Sequence, residues 1–92
     1  MADKKFSEVT EKAFKNVEFL LQGMINDRSV PRNIKRVATK GINIIHEKMD
    51  THGVTASNVL YLVQDISSDP NIPFAARTTI YRVISILETI KD

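Results

Sequence analysis

The segments Asn26-Asp27-Arg28-Ser29-Val30-Pro31 and Ser68-Asp69-Pro70-Asn71-Ile72-Pro73 stand 42 positions apart, and aligning them decides the fold. At this offset residues 16–45 lie on 58–87. Asn16, Val17, Leu20, Gln22, Asp27, Pro31, Ile42 and Ile44 then meet identical residues at Asn58, Val59, Leu62, Gln64, Asp69, Pro73, Ile84 and Ile86. Eight identities in thirty positions compare with about two for unrelated sequence of average composition. Similar pairs keep the same frame, among them Phe19 with Tyr61, Met24 with Ile66, Val30 with Ile72 and Lys40 with Arg82. The chain is therefore a duplicated unit, with repeats over about 7–49 and 55–91 in a single domain of residues 1–92.

Each unit reads as helix, loop, helix. Phe6, Val9, Ala13, Val17, Leu20, Leu21 and Met24 recur at steps that place them on one helical stripe, which predicts a core face. Ser29 is the expected N-cap of a second helix with Pro31 in its first turn, where a missing N–H costs nothing. Ile34, Val37, Ala38, Gly41, Ile42, Ile45 and Met49 hold its apolar face, and Asp50-Thr51-His52-Gly53 ends it. In the second unit Thr55 and Asn71 are the expected caps. Ala56, Val59, Leu62, Val63 and Ile66 form one stripe, and Ala76, Ile80, Val83, Leu87 and Ile90 form the other. Glycine in a helix interior costs about 1 kcal/mol against alanine, so Gly41 predicts close approach of a neighbouring helix. No strand pattern competes. The expected fold is all-α: a four-helix bundle, or a stack, of two antiparallel helical hairpins.

Composition bounds the rest. Apolar residues make up 42% and charged residues 26% of 92 positions, as in an ordinary globular protein. There is no cysteine, so neither disulfides nor thiolate metal sites arise. The N-terminal residues do not read as a secretory leader, and charge interrupts every apolar run well short of a membrane span. A soluble, cytoplasmic protein is expected. Glycines 23, 41 and 53 are isolated and form no phosphate loop. His46, Asp50 and His52 are close in sequence, but a separation of six does not suit a shared helical ligand face. We therefore expect no catalytic residue, metal or cofactor, and no enzymatic activity.

Charge is uneven. Residues 1–27 hold four Lys/Arg against five Asp/Glu, 28–49 hold six against one, and 50–92 hold three against five. Arg32, Arg36 and Lys40 follow at intervals of four, with Arg28 just before and Lys35 beside them, which predicts a basic stripe on the second helix. Cations in a first helical turn oppose the macrodipole, so local stability does not select them. They fit a phosphate-bearing or acidic partner. The alternative is a solvated face neutralised by carboxylates of neighbouring helices. Phe19 and Tyr61 point away from their stripes at equivalent positions, and Phe74, Tyr81 and Ile84 lie off the last seam. These five form the candidate apolar interface. The expected function is a protein interaction module, self-associating as a dimer, with RNA or ribosome binding through the basic stripe as the alternative.

The period and the Asp-x-x-hydrophobic-Pro punctuation resemble HEAT-class helical repeats. Arg32 stands where such repeats carry an arginine, and Phe74 stands there in the second unit. The strings Asn26-Asp27-Arg28-Ser29-Val30-Pro31-Arg32-Asn33-Ile34 and Ser68-Asp69-Pro70-Asn71-Ile72-Pro73-Phe74-Ala75-Ala76-Arg77 resemble the hallmark segments of the small archaeal uncharacterised protein family 0147. That resemblance implies an archaeal origin and a compact helical fold, and it implies no activity.

Overall fold

A computed structural model describes the backbone of residues 2–48 and 50–92, and the side chains of residues 8–48 and 50–92. The side chains of Phe6 and Met49, both expected in the core, lie outside that set. The described residues form four α-helices and no strand: α1 (Ala2–Ile25), α2 (Arg32–Glu47), α3 (His52–Ser67) and α4 (Phe74–Glu88). The molecule is an elongated bundle of 45 × 21 × 20 Å. α1 packs on α2 and α4, and α3 packs on α2 and α4, so α1 and α3 are diagonal. A stack of hairpins would pair α1 with α3 and α2 with α4; the ring that forms is the bundle.

Burial repeats with the sequence. Phe14, Val17, Leu21, Met24, Val30, Ile34, Ala38, Gly41 and Ile45 are buried, and so is the residue 42 positions after each. Size is compensated between the copies. Phe14 and Ile34 correspond to Ala56 and Ala76, whereas Ala38 and Gly41 correspond to Ile80 and Val83. Large and small side chains thus interdigitate around one core.

The stripe of α1 runs differently from expectation. Thr10, Phe14, Val17, Leu21 and Met24 face inward, while Val9 is 64% exposed. A threonine broke the apolar pattern and hid the true face, which advances by four and three residues without a gap. Gly41 also differs from its expected reason. A Cβ there would sit 3.4 Å from Leu21 Cδ1 and 3.5 Å from Val59 Cγ1, which is ordinary contact. The neighbours are close, yet a methyl group fits.

The inter-helix loops share one construction. The Asp27 carboxylate accepts the Ser29 backbone N–H at 2.8 Å and its hydroxyl at 2.7 Å. Asp69 accepts the Asn71 N–H at 2.8 Å. Neither Ser29 nor Asn71 caps a helix, because each belongs to an aspartate-centred turn. The N-caps are Pro31 and Pro73, without side-chain capping bonds, one position before the first helical residue of α2 and of α4. Their carbonyls accept Ile34 and Lys35 N–H groups at 3.1 Å and the Arg77 N–H at 2.9 Å.

The middle connection corrects two further expectations. α2 ends at Glu47 with Lys48 in the left-handed conformation, φ 52°. His52 and Gly53 open α3 instead of closing α2, and its cap is Thr51, whose hydroxyl accepts the Val54 N–H at 3.3 Å. Thr55 is instead a buried helical position. The polar start of α3 is secured from far away in sequence: Asp92 accepts the Gly53 N–H at 2.8 Å and the Thr51 hydroxyl at 3.0 Å.

Candidate interaction surfaces

The basic stripe is solvent-facing. Arg28, Arg32, Arg36 and Lys40 are exposed and Lys35 is half-buried. Among the described residues no carboxylate comes within ion-pair distance of any of the five; the two pairs that form both involve histidine. Lys35 differs from the rest, because its charge helps hold the Asp27 carboxyl below its ordinary pKa, after the two Ser29 hydrogen bonds.

The duplicated fold supplies an internal comparison. At about 100° per residue, Phe74, Thr78, Tyr81 and Ser85 of α4 flank Ser57 and Gln64 of α3 on the outer side of the second hairpin. All are exposed and none is charged at neutral pH. The equivalent positions on the first hairpin are Arg32, Arg36, Thr39, Asn43, Lys15 and Gln22. Two hairpins with the same packing duty therefore carry unlike outer faces, with cations on one where the other has Phe74 and Thr78. Folding requires neither.

The five apolar candidates are not one surface. Phe74 is 87% exposed and Tyr81 57%, and they lie seven residues apart on one line of α4. Ile84 is half-buried against the core beside them. Phe19 is 79% and Tyr61 76% exposed, but they sit on the diagonal helices α1 and α3, so their outward directions oppose each other. Phe19 borders a hollow of about 260 Å³ between α1 and α4, with Gly23, Ala75 and Thr79 in its lining. At the 42-residue offset Tyr61 corresponds to Phe19, and Asn33 and Val37 correspond to Ala75 and Thr79. The hydrogen bond from Asn33 Nδ2 to Asp69 Oδ2 at 3.2 Å ties α2 to the α3–α4 loop.

A third feature was not legible from spacing. At the opposite end, a cleft of about 290 Å³ is lined by Glu11, Phe14 and Glu18 of α1, His46 of α2 and His52 of α3. His46 pairs with Glu18 through Nε2, and His52 Nε2 lies 3.6 Å from Glu11 Oε1. The His52 ring meets Phe14 edge to face at 5.9 Å. The histidines thus join α1 across the bundle and do not converge with Asp50 on one centre. Among the described residues no group of three or more His, Cys, Asp or Glu is placed to hold a metal. Glu11 and Glu18, seven apart on one side of α1, were the available signal, but only the packing shows which helix that side meets.

Comparison with known proteins adds relatives and no activity. The model of an uncharacterised protein family, UPF0147, matches residues 1–90. A UPF0147 protein of Desulfurococcus amylolyticus is 44% identical over 82 residues, covering 89% of this chain and 90% of its own. One from Saccharolobus solfataricus is 46% identical, covering 89% and 92%. The fold resembles a crystal structure of a UPF0147 protein from Thermoplasma acidophilum, with a TM-score of 0.84 and 28% identity over 91% of this chain and 99% of that one. It also resembles that of MMP1188, a protein of unknown function, with a TM-score of 0.82 and 36% identity over 87% and 91%.

Proposed function

Since the chain belongs to the uncharacterised protein family UPF0147, we propose from its own surfaces that it is a non-enzymatic interaction module that self-associates through the outer side of its second hairpin. The observation that carries this is the exposure of Phe74 and Tyr81 on one line of α4, where the first hairpin has Arg32 and Thr39; half-buried Arg77 and exposed Glu88 border that line. Aromatic side chains bury about 150–250 Å² each, and a stable interface takes about 800 Å² per partner. Two rings with Thr78, Ser85, Ser57 and Gln64 around them supply an area of that order. Uncharged rings suit a second copy, because a two-fold axis brings each side chain near its own kind and like charges there would repel. Among the described residues no helix is long and apolar enough to cross a membrane, and the module is proposed to work in the cytoplasm.

Sedimentation velocity across the micromolar range tests the reading. The wild type should dimerise, and Phe74→Ala or Tyr81→Ala should weaken the dimer more than Ile84→Val, because rings at the centre of an interface dominate its energy. Ile84 packs against the core, so its truncation should appear in thermal stability instead. A monomer at every concentration overturns the proposal.

A further inference from the structure

We infer that the outer surface of α2, together with Tyr61 of α3, is a binding site for single-stranded nucleic acid, with phosphates on Arg32, Arg36 and Lys40 and a base stacked on the Tyr61 ring. The cations of α2 are apart from Phe74 and Tyr81 of α4, while Tyr61 lies within one turn of Ser57 and Gln64 on α3 and so borders the self-association face.

Four observations support it. From Arg28 to His46 the chain carries five Lys/Arg and no Asp or Glu, and none of the five forms an ion pair with a described carboxylate. A row of cations without ion-pair partners complements an anionic ligand. Second, the stripe has a cost that folding would avoid. Arg32 opens α2 at its positive end, α2 has no acidic residue in its first turn and no side-chain cap, and the packing-equivalent residue of α4 is a phenylalanine. Third, the geometry suits one strand. Residues four apart rise about 6 Å per step, on the scale of successive phosphates in an extended strand, and such rows run at about 26° to the helix axis. The row thus crosses α2 from its α1 side at Arg32 to its α3 side at Lys40. Fourth, Tyr61 is 76% exposed and corresponds in the repeat to Phe19, as Asn33 and Val37, neighbours of Arg32 and Arg36, correspond to the Ala75 and Thr79 that line the hollow beside Phe19. The Tyr61 phenol gives a flat, rigid face for a base, the combination of basic track and aromatic platform that single-strand binders use. A duplex would meet the cations but could not offer a base face to Tyr61.

Fluorescence anisotropy with labelled oligouridine, oligodeoxythymidine and a hairpin duplex tests this on the whole chain. Both single strands should bind, and affinity should fall about 50-fold between 50 and 200 mM salt if four phosphates are neutralised, counting Arg28. Arg32→Gln, Arg36→Gln and Lys40→Gln together should reduce that change to about threefold. Tyr61→Ala should cost about tenfold for single strands and leave the duplex unaffected, and Tyr61→Phe should restore binding. Phe74→Ala with Tyr81→Ala should leave binding intact while removing the dimer, which separates the two surfaces. All the substituted side chains are exposed, so unchanged helical circular dichroism is the folding control. Absence of binding to either strand at 50 mM salt overturns the site. So does duplex binding as tight as single-strand binding with no response to Tyr61→Ala, or loss of binding in the Phe74/Tyr81 variant.

Discussion

Asp27 and Asp69 perform the same task 42 positions apart: each carboxylate accepts, at 2.8 Å, the backbone N–H two residues further on. Each also offers its own carbonyl to the following apolar residue, Val30 at 3.2 Å and Ile72 at 3.3 Å. The turn thereby reverses the chain and drops that residue into the core. The prolines that follow lock the approach to the next helix, since each sits at its N-cap with φ near −60°.

Acid should loosen two of these anchors. The Asp27 carboxyl lies below the ordinary 3.8 because the Ser29 hydroxyl and then its N–H donate to the ionised form. Asp92 lies below 3.8 because the Gly53 N–H and then the Thr51 hydroxyl do the same. With a folded pKa below the unfolded one, the stabilisation is fully present above about pH 4 and fades as pH falls through the lowered value. Thermal melts from pH 6 to 2 should show Asp27→Asn and Asp92→Asn less stable than wild type at pH 6 and converging on it near pH 2. Parallel curves would show that the hydrogen bonds carry no net preference for the charged form.

Gly41→Ala should stabilise the protein by about 0.5–1 kcal/mol, because it removes backbone freedom from the unfolded chain and the added methyl meets Leu21 and Val59 at ordinary distances. In a domain of this size that corresponds to a rise of about 4 °C in Tm. Val83 already occupies the equivalent position in the second unit. A fall in Tm would mean that the bundle is tighter at this layer than the contacts indicate.

Phe19 and Leu21 are neighbours in sequence with opposite fates. Leu21 is fully buried and Phe19 is 79% exposed. Leu21→Ala should cost about 2–5 kcal/mol, while Phe19→Ala should stay within about 0.5 kcal/mol. Urea denaturation at equal protein concentration reads both. A large loss from Phe19→Ala would place that ring in a contact of its own.

Arg32→Glu should raise stability by about 0.3–1 kcal/mol, since it puts an anion in the first turn of α2 in place of a cation. The same change should weaken oligouridine binding. Opposite signs in a thermal melt and an anisotropy titration would identify Arg32 as a residue retained against the interest of the fold. A destabilised variant would reverse that reading.

Helix number, the two aspartate loops and the repeat were readable because burial imposes a period that the sequence keeps even where identities lapse, as at Ala38 and Ile80. Cap identities were not, since Ser29 and Thr55 resemble caps locally while hydrogen bonding and burial assign them elsewhere. The α1 face was obscured by Thr10, whose hydroxyl masks an inward position. The basic stripe and the outward aromatics were visible as residues, but their grouping was not. Whether Phe19 shares a surface with Tyr61 depends on which helices are diagonal, a property of the ring and not of any one helix. The histidine pairs were hidden for the same reason, because their glutamates come from α1.

The face that each hairpin turns toward its fellow is one it can turn equally well toward another copy of itself. If the connection between Glu47 and Thr51 opened, a chain would hand its second hairpin to a neighbouring molecule, and two such chains would rebuild two full bundles with the same core contacts. The left-handed Lys48, φ 52°, is a conformation that a non-glycine residue adopts at some cost, and opening would release it. What holds the closed form is the tether: with so short a connection, the local concentration of one hairpin about the other far exceeds that of any second molecule. Domain exchange in the duplicated chain is thus set by two opposed effects of one short loop, the local concentration that keeps the hairpins together and the strain that opening relieves.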